Sequence, residues 1–319
     1  MKYDIDIYCF KFNPTRFDDD DDLTKGKEDL KLFPMSIPFI INHYGTVIFE
    51  LNCYSKEDFI FPTLDDKCND FRIDFHFYLK YSLSIENDLN EQDYSNLLWL
   101  LSKKISEFSV ALQISIPDFV SFSEAFIFSN GKFKFKRDYL GFSVDILRIV
   151  DNFSWPKLQS LNPLMTWKWL EKYFIEEEKL SSNRTQRAIY AFTNLFANHI
   201  NEDSYIDLIW SMIALESLYA KSKNGIQEQL NEKIKVILGE LKDFKKIIKQ
   251  MYDFRSQFLH GSLEIPSKFN CNDNSNERLD FMFKYWDTTS ISIAILIGTF
   301  QYMVMNNLDE LDFKYTLKN

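Results

Sequence analysis

The apolar residues of this chain change period near Trp155-Pro156 and Asn162-Pro163, from two residues to about 3.6. A period of two puts every second side chain on one face of a strand, whereas 3.6 lays a stripe along a helix. The chain is therefore expected to be α+β. An N-terminal mixed, β-rich domain would cover residues 1–162, and an all-α helical bundle residues 163–319. A length of 319 residues also suits two cores better than one.

The clearest strand runs from Phe71 to Leu83, where Phe71, Ile73, Phe75, Phe77, Leu79, Tyr81 and Leu83 share one face. Phe126 to Phe135 reads as a hairpin with Asn130-Gly131 in a type I′ turn, whose two central positions need positive φ. In that register Phe128 faces Phe133 and Phe126 faces Phe135, while Lys132, Lys134 and Lys136 share the other side. These lysines could touch RNA, but exposed lysines on a hairpin read first as a solvated face that discourages edge pairing. A second hairpin is expected around Tyr44-Gly45, with Val47, Phe49 and Leu51 on one side. One helix, from about Gln92 to Phe108, interrupts the strands, with Leu97, Leu98, Leu101 and Ile105 as its stripe. The acidic run Asp18 to Asp22 reads as a solvated loop.

Beyond the change of period only helices are expected. One runs from roughly Met165 to Lys179. The next starts at Asn183, three residues before Gln186, which is capping-box spacing, and buries Ile189, Phe192 and Phe196. A third starts near Ser204 and carries Leu208, Met212, Leu215 and Tyr219. A fourth covers about Ile226 to Gly239, a fifth about Lys242 to His260, and a sixth about Glu277 to Asn306. The most apolar stretch, Ile291 to Met305, is short for a bilayer span and carries Ser292, Thr299 and Gln301, so it reads as a buried helix. No membrane association is expected.

Composition narrows the function classes. Four scattered cysteines, Cys9, Cys53, Cys68 and Cys271, form no CxxC pair, so no zinc site is expected and a reducing, cytoplasmic compartment is. The first residues, Met-Lys-Tyr-Asp-Ile-Asp, do not read as a signal peptide. A net charge of −10 argues against broad affinity for nucleic-acid backbone. Residues 221–260 nonetheless hold nine Lys or Arg against five Asp or Glu. Such a strip suits a narrow anionic site, and equally a solvated helix face. His76 falls on the polar face of its strand, and His199 continues the stripe of Phe192 and Phe196. Neither reads as a ligand, and there is no glycine-rich phosphate loop, HExxH or GxSxG.

One segment stands out, Tyr252-Asp-Phe-Arg-Ser-Gln-Phe-Leu-His-Gly261. With Arg255 at zero on a helical projection, Phe244, Ile248, Met251, Phe258 and Leu259 fall within about 60° of it. Lys245, Lys246, Lys249, Asp253 and Ser256 lie elsewhere. A guanidinium on an apolar face needs a carboxylate, a phosphate or a solvated cleft. Glu216, on the stripe Ile209, Ile213, Glu216, Ala220 of another apolar helix, is the visible carboxylate. The pair could serve packing alone, or Arg255 could face a second copy across a cleft that supplies an anion. His260 lies about 140° from Arg255 in an ideal helix, but Gly261 is suited to end the helix in a left-handed cap. The helix dipole there favours an imidazolium.

Arg-x4-His at the end of a helix in an all-α bundle is the signature of the HEPN superfamily. The segment resembles its ApeA-like branch, in which Ser follows the Arg and Gly follows the His, and Ala214-Leu215-Glu216 matches an Ala-Leu-Glu upstream. The resemblance covers residues 165–310. Ser262 stands where HEPN toxins paired with a nucleotidyltransferase carry Tyr, and Phe254 replaces the Lys of the extended Glu-x3-Lys-Arg form.

What the resemblance implies is a HEPN-type bundle with metal-independent endoribonuclease activity and no cofactor. It also implies a homodimer or higher homo-oligomer that brings two motifs together, and often a role in bacterial anti-phage (abortive infection) defence. A phage-derived trigger could act on the N-terminal domain as a sensor. RNA carries its own nucleophile, the 2′-OH, so cleavage needs proton transfer and charge stabilisation. His260 would be general base or acid, Arg255 would clamp the scissile phosphate, and Ser256 and Glu216 would support it. Lys246 and Lys249 are weaker candidates for contacts to the RNA substrate. The alternatives are a non-catalytic HEPN module that binds a nucleotide or supports a dimer, and a protein-interaction protein whose aromatic-rich β domain binds a partner.

Overall fold

The computed structural model describes residues 2–12, 34–41, 45–55, 75–86, 89–117, 122–138, 146–174, 180–196, 206–222, 224–242, 244–264 and 276–314. The chain is α+β, with an antiparallel sheet in its first half and helices after it. It divides into two compact units, Met1–Leu112 with Phe119–Gly141, and Gln113–Asp118 with Phe142–Asn319. The division falls at 141/142 and not near residue 162. The reason is a short helix, Ile146–Phe153, that the change of period does not announce and that belongs to the second unit.

In the first unit the strands are β1 (Lys2–Phe12), β2 (Met35–Ile41), β3 (Gly45–Ser55), β4 (Phe75–Glu86), β5 (Phe122–Ser129) and β6 (Lys132–Asp138). They form one six-stranded sheet in the order β2-β3-β4-β1-β5-β6. Alternation decides which face is buried: Met35, Ile37, Phe39 and Ile41 of β2, Val47, Phe49 and Leu51 of β3, and Leu79, Tyr81 and Leu83 of β4 point inward. The intervening helix α1 (Glu91–Ser115) buries Leu97, Leu98, Leu101 and Ile105, and its Phe108 meets Phe39 edge-on at 6.2 Å. It runs about two turns further than the sequence suggests, and Gln113 onward counts with the second unit.

Asn130 and Gly131 both take positive φ, 48° and 72°, as the I′ turn requires. Phe128 pairs with Phe133 as expected. Phe126 does not pair with Phe135. A register shift between Ile127 and Phe128 sets Phe126 opposite Lys136 and Ile127 opposite Phe135. A bulge of this kind inserts one residue and reverses the phase of the pairing beyond it, while the two-residue alternation of the sequence runs straight through and does not reveal it. Asp18 to Asp22, Tyr44, Phe71, Ile73, Cys68, His199 and Cys271 lie outside the described residues, and the side chain of His76 is likewise not described.

The second unit contains α2 (Ile146–Phe153), α3 (Pro163–Phe174), α4 (Arg184–Thr193) with a 3-10 turn Asn194–Phe196, α5 (Ile206–Tyr219), α6 (Ile226–Leu238), α7 (Phe244–Leu259) and α8 (Asn276–Met305). Asn183 caps α4, its side chain accepting from the Gln186 N–H at 2.7 Å. Gln186 reaches back one residue further than a capping box, to the Ser182 N–H at 2.7 Å. The central helix α8 is long and apolar enough to cross a bilayer, yet 89% of its apolar window is buried inside the protein. Two hydroxyl pairs, Ser211–Ser292 and Tyr219–Thr299, each at 2.7 Å, join α5 to α8 and satisfy four of the hydroxyls that this burial traps.

The far end of α5 is held by cations. Arg184 donates to the carbonyls of Ser217, Leu218 and Ala220 at 2.9–3.1 Å, and Lys233 donates to that of Tyr219 at 2.6 Å. These are the carbonyls a helix leaves without partners. The segment after α8 crosses the same region: the Leu308 carbonyl accepts from Trp169, and that of Asp309 accepts from Tyr173 and Thr185. Asp312 pairs with Lys221 at 2.5 Å.

Candidate functional site

Two helices bring the candidate residues into place. On α7, Phe244, Ile248, Met251 and Phe254 are buried. Phe244 meets Trp155 edge-on at 5.2 Å, and Phe254 lies 5.8 and 5.6 Å from the rings of Phe281 and Tyr285 on α8. The buried stripe thus leans toward Phe254. Arg255 sits beside it, half-buried with 24% of its side chain exposed, and Leu259 is 53% exposed. The expectation of a face centred on Arg255 and including Leu259 is corrected to this extent, because α7 emerges from its packing in its last turn.

Arg255 meets Glu216 of α5. Its Nη2 lies 3.5 Å from Glu216 Oε2, a long contact for a charge pair. The Nε of Arg255 and the Oε1 of Glu216 are both buried without a hydrogen-bond partner among the described residues. Burial raises the Glu216 carboxyl above the usual carboxylate range, and the nearby guanidinium opposes that only in part. The guanidinium carbon also lies 5.7 Å from the ring centre of Tyr252. Arg255 is therefore half-buried and held on one side, with its Nε–H short of an acceptor among the described residues.

The helix ends where glycine allows. Gly261 has φ of 68°; its N–H donates to Phe258 at 3.2 Å and the Ser262 N–H to Gln257 at 2.9 Å. That pair of bonds is a Schellman cap, and it puts His260 at the junction between helix and turn. His260 is exposed, and no hydrogen bond or ion pair joins it to Arg255 among the described residues. Ser256 is half-buried. Its carbonyl accepts from the His260 N–H at 3.0 Å, while its hydroxyl makes no hydrogen bond among the described residues. Within one chain, then, Arg255 and Glu216 come together, and His260 and Ser256 flank them without touching.

Lys246 and Lys249 are exposed. Lys246 lines a cleft of about 450 Å³ with Asn152, Phe153, Leu241, Lys242 and Gln250, on the side of α7 away from Arg255. The sequence reading assigned no role to Tyr252 or Phe153. Tyr252 had a usable signal, a ring three residues before a guanidinium on a helix. Phe153 had none, since the cleft depends on where α2 packs.

Comparison with protein-family models, with curated proteins and with solved structures finds no match for this chain.

Proposed function

We propose that this protein is a metal-independent endoribonuclease of the HEPN type, cleaving RNA by attack of the 2′-OH, and that it acts as a homodimer in bacterial anti-phage defence. The observation that carries the reading is the Arg-x4-His spacing at a capped helix end, with an Arg255 guanidinium short of acceptors. A scissile phosphate would supply those acceptors. The 2′-OH proton passes to an imidazole as the O2′–P bond forms. The P–O5′ bond breaks, and the 5′-oxygen takes a proton from an imidazolium. The products are a 2′,3′-cyclic phosphate and a 5′-OH. The homodimer would bring the two Arg-x4-His motifs together; within one chain His260 is exposed and makes no hydrogen bond to Arg255 among the described residues.

The test is cleavage of total RNA in EDTA by the purified chain, beside Arg255→Ala and His260→Ala. Metal-independent cleavage that yields cyclic-phosphate ends and is lost in both variants is expected. Cleavage that needs a divalent metal, or that survives both substitutions, refutes the reading. A second reading, a HEPN-type module without catalysis, is favoured by the Arg255–Glu216 contact within one chain. It predicts intact RNA in every sample and a dimer that weakens when the pair is removed.

A further inference from the structure

Three equal steps join the Phe153 cleft to the candidate site. Lys246, Lys249, Tyr252 and Arg255 stand three residues apart on α7, and neighbours at that spacing form one oblique ridge along a helix. Each step turns back by about 60°, so the ridge carries the surface from the cleft round to Arg255 over roughly 14 Å of rise. Lys246 and Lys249 are exposed, and Tyr252 is half-buried with its ring beside the Arg255 guanidinium. At the far end Phe153, 40% exposed, lines the cleft with Lys246.

We propose that this ridge is a track for single-stranded RNA, with phosphates on Lys246 and Lys249, bases against Phe153 and Tyr252, and the scissile phosphate at Arg255. Cations set between partly exposed rings are what a single strand needs, since each nucleotide offers a charge and a stacking face. A duplex hides its bases and would leave both rings without a role. An acidic peptide would use the lysines alone. The chain's net charge of −10 repels a polyanion elsewhere and confines binding to a local positive strip. The identity of the polymer rests on the ribonuclease reading; the geometry of the track does not.

The test measures binding of a short labelled single-stranded RNA, and of the matching duplex, to the full-length His260→Ala chain in EDTA across a salt series. Single-stranded RNA should bind more tightly than duplex. Lys246→Gln with Lys249→Gln should lower affinity about tenfold and cut the slope of log affinity against log salt by ~1.4. Phe153→Ala should weaken binding about fivefold or more without changing that slope, and Phe153→Tyr should restore it. Lys132→Gln with Lys134→Gln, on the hairpin, should change nothing. The track is overturned by an unaltered affinity in the Lys246/Lys249 variant, by an equal loss in the hairpin variant, by preference for duplex, or by no measurable binding. RNA held on the ridge but never cleaved by the wild-type chain sinks the ribonuclease reading and leaves the track standing. Cleavage with binding indifferent to Lys246 and Lys249 does the reverse.

Discussion

The Lys104–Glu107 and Arg255–Glu216 pairs are both drawn back from water, and they are built differently. Lys104 and Glu107 are neighbours on α1, 2.9 Å apart, each with 9% of its side chain exposed. Arg255 and Glu216 come from two helices, 3.5 Å apart, with 24% and 18% exposed and with one buried nitrogen and one buried oxygen left without partners. Where desolvation is nearly complete the pair is short and local, because an incomplete one would be costly. The longer, more open pair is not optimised for holding the fold. What it holds is a guanidinium whose buried Nε–H makes no hydrogen bond among the described residues.

The largest expected effect separates the pairs by function. Arg255→Ala or His260→Ala should lower RNA cleavage about a thousandfold, read from initial rates, while Lys104→Met leaves the specific activity of the folded fraction unchanged. Stability should show the opposite order. Lys104→Met removes the close partner of a buried carboxylate and should cost about 3 kcal/mol in denaturant unfolding. Arg255→Met should cost under about 1 kcal/mol, since a half-buried Glu216 can take up a proton. Equal costs would break the comparison.

Smaller effects sharpen it. Gly261→Ala puts a Cβ on a left-handed residue and should destabilise by about 1 kcal/mol, and by disturbing the turn that carries His260 it should also slow cleavage. The smallest effect is in pH. Burial raises the Glu216 carboxyl in the folded chain, so between its ordinary value of 4.5 and the raised one the folded state binds more protons than the unfolded state. Stability attributable to this group therefore falls as pH rises through that window. Glu216→Gln should flatten the decline, by less than about 1 kcal/mol given the partial exposure. A steeper decline in the variant would mean that the pair stabilises the charged carboxylate after all.

Sequence reading reached the second pair because a charge on an apolar stripe has few explanations, and two of opposite sign on two such helices suggest each other. It reached the Asn183 cap and the Asn130-Gly131 turn because both rest on local chemistry. It did not reach the bulge at Ile127/Phe128, the burial of Phe254 or the place of Phe153. Each of those depends on which element packs alongside, and a one-residue insertion or a ring partner on a distant helix leaves no periodic trace. His260 lies between these cases: the helical spacing already turns it about 140° from Arg255, and Gly261 signals the end of its helix. Whether the capped turn would swing the imidazole back is decided only by the structure, where His260 is exposed.

The bonds around the far end of α5 set an order of events. Trp169, Tyr173 and Thr185 find their acceptors only at Leu308 and Asp309, more than 120 residues later in the chain, and Lys221 finds Asp312. A nascent chain halted before those residues can wind α5 but cannot finish its support. Arg184 and Lys233 already hold its last carbonyls, so what the late residues add there is the pairing of Asp312 with Lys221. The strap of residues 308–312 is thus the last piece of the second unit to be made, and it ties α3 and α4 to the end of the chain after α5 and α7 already exist.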